Sequence, residues 1–156
     1  MNTAPQIISW NLTRVCNLAC AHCYLDAVQR RREASDELTL AEAEDVVTQI
    51  AATAPGAMLV LTGGEPLLRR DLETIVAAAA RQGLMPVIGT NGTLLDAARA
   101  GALRAAGAMG VGISLDSVEP DFHDRLRGQI GAWEGAMRGI EAARAAGLAV
   151  LIQTTL

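Results

Sequence analysis

Cys16, Cys20 and Cys23 are the three cysteines of the chain, and they fall within eight consecutive residues. An odd, clustered set is not a disulfide framework; it belongs to metal or redox chemistry. Three thiolates on one short loop can grip three irons of a four-iron cubane, whose ordinary complement is four cysteines. With no fourth cysteine one iron keeps an open position, as catalytic metal sites do, and that iron can take a small chelating ligand. Two other chemistries use the same residues. Cys20-Ala21-His22-Cys23 has thioredoxin-type spacing, which would make a thiol–disulfide oxidoreductase but leaves Cys16 without a role. Three cysteines with His22 could instead build the zinc site of a binding module, for which His123 is the other available histidine.

Four more segments carry polar chemistry. In Thr62-Gly63-Gly64-Glu65-Pro66 two glycines let the backbone approach a ligand closely, and Glu65 can accept a charge-assisted hydrogen bond from an ammonium. A glycine turn leading into a helix is the plain alternative. In Ile113-Ser114-Leu115-Asp116, residues two apart on a strand share a face, so Ser114 and Asp116 can both point inward; Ser-x-Asp is also a common helix cap. Asn91-Gly92 is either a turn or a ligand contact. In His123-Asp124-Arg125-Leu126-Arg127-Gly128, Arg127 either pairs with a carboxylate or stands solvated. Arg30, Arg31 and Arg32 read as exposed surface, and Trp10 and Trp133 as packing residues.

The elements that must position these groups alternate. Strands are predicted at 7–12, 58–61, 85–90, 111–115 and 148–155. Between them lie helices: one starting after Thr39, whose Glu42 completes a capping box, then 71–82, 96–106, a short one at 120–126, and 133–146. Gly83, Gly107 and Gly147 are the stops. Strands alternating with helices of this length imply parallel βαβ units with right-handed crossovers. Each chemistry-bearing segment follows the C-terminal end of a strand, the face on which β/α barrels assemble active sites. The last strand is apolar with nothing after it, an edge that parallel sheets cover. The expectation is therefore one domain, 1–156, forming an incomplete parallel (β/α) barrel of about five units, cut short in the fifth.

Composition narrows the classes. The net charge of −4 gives no electrostatic basis for binding nucleic acid. All basic residues are arginine, which removes lysine Schiff-base chemistry from this stretch. No run of about 18 apolar residues is present, so no membrane partner is expected. The opening residues lack a basic and apolar leader, which makes the cytoplasm the default location.

The C-x3-C-x2-C spacing of Cys16, Cys20 and Cys23, with His22 in the aromatic-type position before the last cysteine, resembles the signature of the radical S-adenosylmethionine (SAM) superfamily. The Gly63-Gly64-Glu65 segment and the strand order match it over essentially the whole chain. The resemblance implies a [4Fe–4S] cluster on the three cysteines, whose open iron chelates SAM. One electron then cleaves the sulfonium to give methionine and a 5′-deoxyadenosyl radical that abstracts hydrogen. It further implies that Tyr24, Gly63, Gly64, Glu65, Asn91, Ser114, Asp116 and Arg127 contact the cofactor. Glu65 would take the methionine amino group, and Ser114 and Asp116 the ribose hydroxyls or carboxylate. An electron donor such as flavodoxin or ferredoxin and a small-molecule or peptide substrate follow from the same resemblance. Ser9 to Arg14 and Cys23 to Ala27 look like the branches that mature cofactors, tetrapyrroles and peptides, with the haem-pathway and peptide-maturase types the nearest in appearance.

Overall fold

The computed structural model describes residues 4–25 and 37–155; the expected surface arginines Arg30, Arg31 and Arg32 lie outside them. Five strands, β1 (Ile7–Thr13), β2 (Met58–Gly63), β3 (Met85–Thr90), β4 (Gly110–Ser114) and β5 (Ala149–Gln153), alternate with helices. These are α1 (Leu40–Thr53), α2 (Leu72–Arg81), α3 (Ala97–Ala106), α4 (Pro120–Arg127) and α5 (Ala132–Ala145). The strands form one parallel sheet in the order β1-β2-β3-β4-β5. That order and direction are the expected partial barrel, five strands of it.

Local chemistry sets the helix ends. Thr39 caps α1 reciprocally with Glu42, as the capping box requires. The Asp96 carboxylate accepts from the Arg99 N–H at the start of α3, and Gly107 closes that helix in the left-handed conformation. Asp124 caps α5 from a distance, accepting from the Gly131 and Trp133 N–H groups at 2.6 and 2.8 Å.

Strand register separates two faces. Ile8 pairs with Leu59 and Trp10 with Leu61, Leu61 with Ile88, and Ile88 with Val111. These residues face the helices, where Leu59, Leu61, Ile88 and Val111 join Leu72, Ile75 and Leu103 in one buried core. Trp10 packs against that core as expected, while the Trp133 indole donates to the Ser117 carbonyl. The alternate residues, including Ser9, Val60, Thr62, Gly89, Ser114 and Gln153, face inward and line a cavity at the sheet's C-terminal end. None of the five strands contains a charged residue. On β5, Leu151 is 62% and Ile152 43% exposed.

Helix α5 lies tightly on the loop after β3 because its inward positions are small: Ala132, Gly135, Ala136 and Gly139 are all buried. A Cβ on Gly139 would stand 2.5 Å from the Gly92 carbonyl oxygen, whereas one on Gly101 in α3 meets nothing within 4 Å. Gly139→Ala should therefore lower stability by roughly 1–3 kcal/mol through overpacking. Gly101→Ala should raise it by about 0.5–1 kcal/mol through helix propensity. Thermal melts of the two variants, moving in opposite directions by about 2–4 °C per kcal/mol, check the packing.

Candidate active site

From Arg14 to Leu25 the chain runs without helix or strand, and this segment carries all three cysteines. A loop that forms no ladder of its own needs partners for its backbone groups; two neighbours supply them, and a third holds one of its side chains. On one side the Gly64 and Glu65 N–H groups donate to the Thr13 and Val15 carbonyls, both at 2.8 Å. A Cβ on Gly63 would collide with the Thr13 carbonyl, and one on Gly64 with that of Val15. The two glycines are thus needed for chain to meet chain.

On a second side stands the end of α4. Carbonyls of a helix's last turn have no partner within the helix. Here the Arg127 and Leu126 carbonyls accept from the Ala19 and Ala21 N–H groups at 3.2 and 2.9 Å. Gly128 turns left-handed at φ 69°, and any Cβ there would strike the Ala19 carbonyl. The third support is polar. The Asn91 side-chain amide donates to Asn17 Oδ1 at 2.9 Å, and the Asn17 amide donates to Thr93 Oγ1 at 2.9 Å. Cys16, Leu18 and Ala132 of α5 close the base as a small apolar cluster, with Cys20 and Cys23 packed against it.

Held this way, Cys16, Cys20 and Cys23 all line one cavity of about 380 Å³. None of them forms a disulfide. Burial pushes the Cys16 and Cys20 thiols up from the usual range; at Cys20 the Arg127 charge pulls the other way. Among the described residues, no three His, Cys, Asp or Glu side chains converge closely enough for a single metal ion. His22 lines the same cavity, and its Nδ1 is buried without a hydrogen-bond partner among the described residues. Three thiols spaced around one cavity, with an unsatisfied buried nitrogen beside them, fit a sulfur-ligated cluster with a polar ligand next to it.

Of the residues expected to contact a cofactor, Tyr24, Gly63, Gly64, Asn91, Ser114 and Arg127 line this cavity. Tyr24 is 80% exposed, with its hydroxyl 3.3 Å from Asn11 Oδ1. Glu65 and Asp116 are not among the residues that line it. The Glu65 side chain is fully buried. Its carboxylate accepts from the Leu67 N–H at 3.0 Å, the Thr90 hydroxyl at 2.7 Å and the Asn91 N–H at 2.8 Å. The carboxylate thereby ties the end of β2 to the end of β3. Burial raises its carboxyl against the pull of those three donors.

Asp116 likewise has its carboxylate removed from solvent. It lies past the end of β4, so the strand alternation that would align it with Ser114 no longer holds. Its two oxygens take Arg127 Nε at 2.6 Å and Nη2 at 2.9 Å. Although burial alone would raise it, this pairing holds the Asp116 carboxyl below the usual range. Arg127 is accordingly neither solvated nor waiting for a partner. His123 is buried too, and its Nδ1 accepts from the Asp116 N–H at 3.2 Å. Burial and then the Arg127 charge lower its basicity, so it stands neutral.

Sequence reasoning assigns no role to Asn17, Thr93 or Gly128. The first two are polar residues of unremarkable type whose meeting depends on loop packing. Gly128 carried a signal, a glycine directly after a helix.

The chain matches the Radical SAM superfamily over residues 10–156. It is 38% identical over its whole length to an AdoMet-dependent heme synthase of Methanosarcina barkeri (strain Fusaro / DSM 804), covering 44% of that protein. With the Fe-coproporphyrin III synthase of the same organism it shares 37% identity over 96% of this chain and 37% of that protein. The chain thus spans about two fifths of the length of the curated relatives it matches. Among solved structures, native anSMEcpe with bound AdoMet superposes with a TM-score of 0.76 at 22% identity, over 95% of this chain and 43% of that one. Streptococcus suis SuiB bound to precursor peptide SuiA gives 0.80 at 16% identity, over 97% and 33%. At those identities the structures show a shared fold.

If Glu65 is an internal acceptor, its removal strands three buried donors, each costing on the order of 1–3 kcal/mol. Glu65→Ala should lose about 3 kcal/mol or more in denaturant titration, and Glu65→Gln, which keeps one acceptor oxygen, clearly less. Equal stability of both variants and the unaltered chain would contradict this placement.

Proposed function

The chain belongs to the radical SAM superfamily, and from that membership we propose that Cys16, Cys20 and Cys23 hold a [4Fe–4S] cluster whose fourth iron takes S-adenosylmethionine. When bound, the pair supplies reductive cleavage of the sulfonium, and with it a 5′-deoxyadenosyl radical for hydrogen abstraction. The observation that carries this reading is the convergence of all three thiols on one cavity at the C-terminal end of a parallel sheet.

The chain's own residues have distinct tasks in this reading. The three thiols, once deprotonated by the metal, hold three irons. Tyr24, Gly63, Gly64, Asn91 and Ser114 bound the volume beside the cluster. With uncharged strands behind it, the cavity takes its permanent positive charge, among the described residues, from Arg127. Glu65 and Asp116 serve from behind, as acceptors that fix the loops.

For the substrate we infer a tetrapyrrole of the haem pathway. Support comes from relatives named for that pathway: two at 38% and 37% identity, and a Pre-heme d1 synthase of Dinoroseobacter shibae at 36%. The mycofactocin maturase of Mycobacterium ulcerans stands at 32%. An electron donor of the flavodoxin or ferredoxin class and a cytoplasmic location belong to the same reading. No helix among the described residues is long and apolar enough to cross a membrane.

The other two chemistries lose ground. A thioredoxin-type nucleophile needs a depressed thiol, and burial moves Cys20 the other way. A zinc site needs four ligands around one ion, and among the described residues no three His, Cys, Asp or Glu side chains converge that closely.

Oxygen-free reconstitution with iron and sulfide should give a brown protein with roughly four irons per chain, and Cys16→Ala should abolish that colour. Reduction in the presence of S-adenosylmethionine should release 5′-deoxyadenosine, with output rising when an iron porphyrin with propionate side chains is added. A colourless protein that retains zinc instead would overturn the cluster, whereas 5′-deoxyadenosine production indifferent to porphyrin would overturn only the substrate.

A further inference from the structure

Arg127 sits at the cavity wall in an unusually determined position. Its side chain is 9% exposed, and its fork is engaged twice by Asp116, through Nε and Nη2. Bidentate pairing fixes the plane of the guanidinium as well as its location. Asp116 is fixed in turn: its carboxylate also accepts from the Thr155 N–H at 3.2 Å, and its own N–H donates to His123. The backbone of Arg127 is fixed independently, because its carbonyl accepts from Ala19 and Gly128 leaves no room for movement against that loop. After these commitments one nitrogen is left. Nη1 points at Cys20 Sγ, 3.9 Å away.

We propose that Arg127, aimed by Asp116, is a positioning residue for the cluster: it presents a fixed N–H and positive charge to the Cys20 sulfur and raises the cluster's reduction potential. The inference rests on the cluster reading above. Its physical basis is general. Reduction adds one negative charge to the cluster, so a cation and a donor at a ligand sulfur favour the reduced form, and they act strongly where solvent is excluded. Asp116 has two opposing effects. It holds the fork in the plane that delivers Nη1 to sulfur, and its own charge offsets part of the field that Arg127 exerts. The pair therefore behaves as a damped cation, with a sign that each partner shifts separately.

That separation gives the test. The whole chain, reconstituted without oxygen, is titrated with reductant at set potentials and followed by electron paramagnetic resonance. S-adenosylmethionine is left out, so contacts to it do not enter. Arg127→Gln removes the cation and leaves Asp116 uncompensated. At the midpoint of the unaltered protein its reduced-to-oxidised ratio should fall about tenfold, a shift of ~59 mV for one electron. Asp116→Asn removes the offsetting charge while keeping the size and a hydrogen-bond acceptor, and the ratio should rise. Arg127→Lys, which keeps the charge without the fork, should fall between Arg127→Gln and the unaltered protein.

Opposite shifts in the Gln and Asn variants, with iron content retained, support the inference. Unmoved ratios, or shifts of both variants in one direction as mere loosening of the loop would give, overturn it. Should Arg127→Gln hold no iron, the Asp116→Asn variant decides alone: a rise supports the inference, and no change or a fall overturns it. Absence of iron from the unaltered protein is failure of the cluster reading and takes this inference with it. Iron present with unmoved potentials is failure of this inference alone.

Discussion

The constraint on which the site depends is the need of an irregular loop for hydrogen-bond partners. Residues 14–25 form neither helix nor strand, so the N–H and carbonyl groups they bury must be met from outside. The fold answers with backbone more than with side chains. The loop after β2 contributes two N–H groups, and the last turn of α4 contributes two carbonyls. Both contacts bring main chain against main chain, which only a missing Cβ permits, and glycine stands at each place: Gly63, Gly64 and Gly128. The glycines of the site are thus the means by which the cysteine loop acquires one shape.

Behind this layer lies a second, made of buried carboxylates. Glu65 and Asp116 follow different strands, yet they do the same work. Each is fully or almost fully removed from solvent, and each is surrounded by donors: three for Glu65, and the Arg127 fork with the Thr155 N–H for Asp116. A buried charge is costly unless its lone pairs are satisfied. Once satisfied, it rigidifies what surrounds it. Glu65 locks the turn after β3, and that turn carries Asn91 to Asn17. Asp116 locks Arg127, which reaches Cys20. Each acid therefore acts on the cavity through one intermediate residue.

This layering explains what the sequence made legible and what it concealed. Strands and helices were readable because their signals are local: the Thr39–Glu42 box, the stops at Gly107 and Gly147, and short apolar runs at regular spacing. The three cysteines were readable because their number and spacing admit few chemistries. Glu65 and Asp116 are legible as residues of the site, but their internal partners are not. A carboxylate in a motif announces that something will donate to it, and only the packing tells whether the donor is a ligand or the protein. For Asp116 the limit has a definite source: strand alternation says nothing of a residue two positions past Ser114, where β4 ends. Asn17 and Thr93 meet across 76 positions of sequence, and no local pattern encodes such a contact.

The long separations have a consequence for how the cavity forms. The loop carrying Cys20 is completed by Gly64, Asn91 and Arg127, which belong to the second, third and fourth βα units; Arg127 lies 107 residues from Cys20. No single unit can shape the loop, because each provides one support. The thiols reach their places only when four consecutive units have docked. Metal binding to such a site is linked to the folding of the whole assembly, since the site has no counterpart in the unfolded chain. A defect in a distant support, such as the seat of Gly128 against Ala19, is accordingly a defect at sulfur. The same linkage runs backward, and a group bound to the three thiols would tighten every unit that helps to hold them.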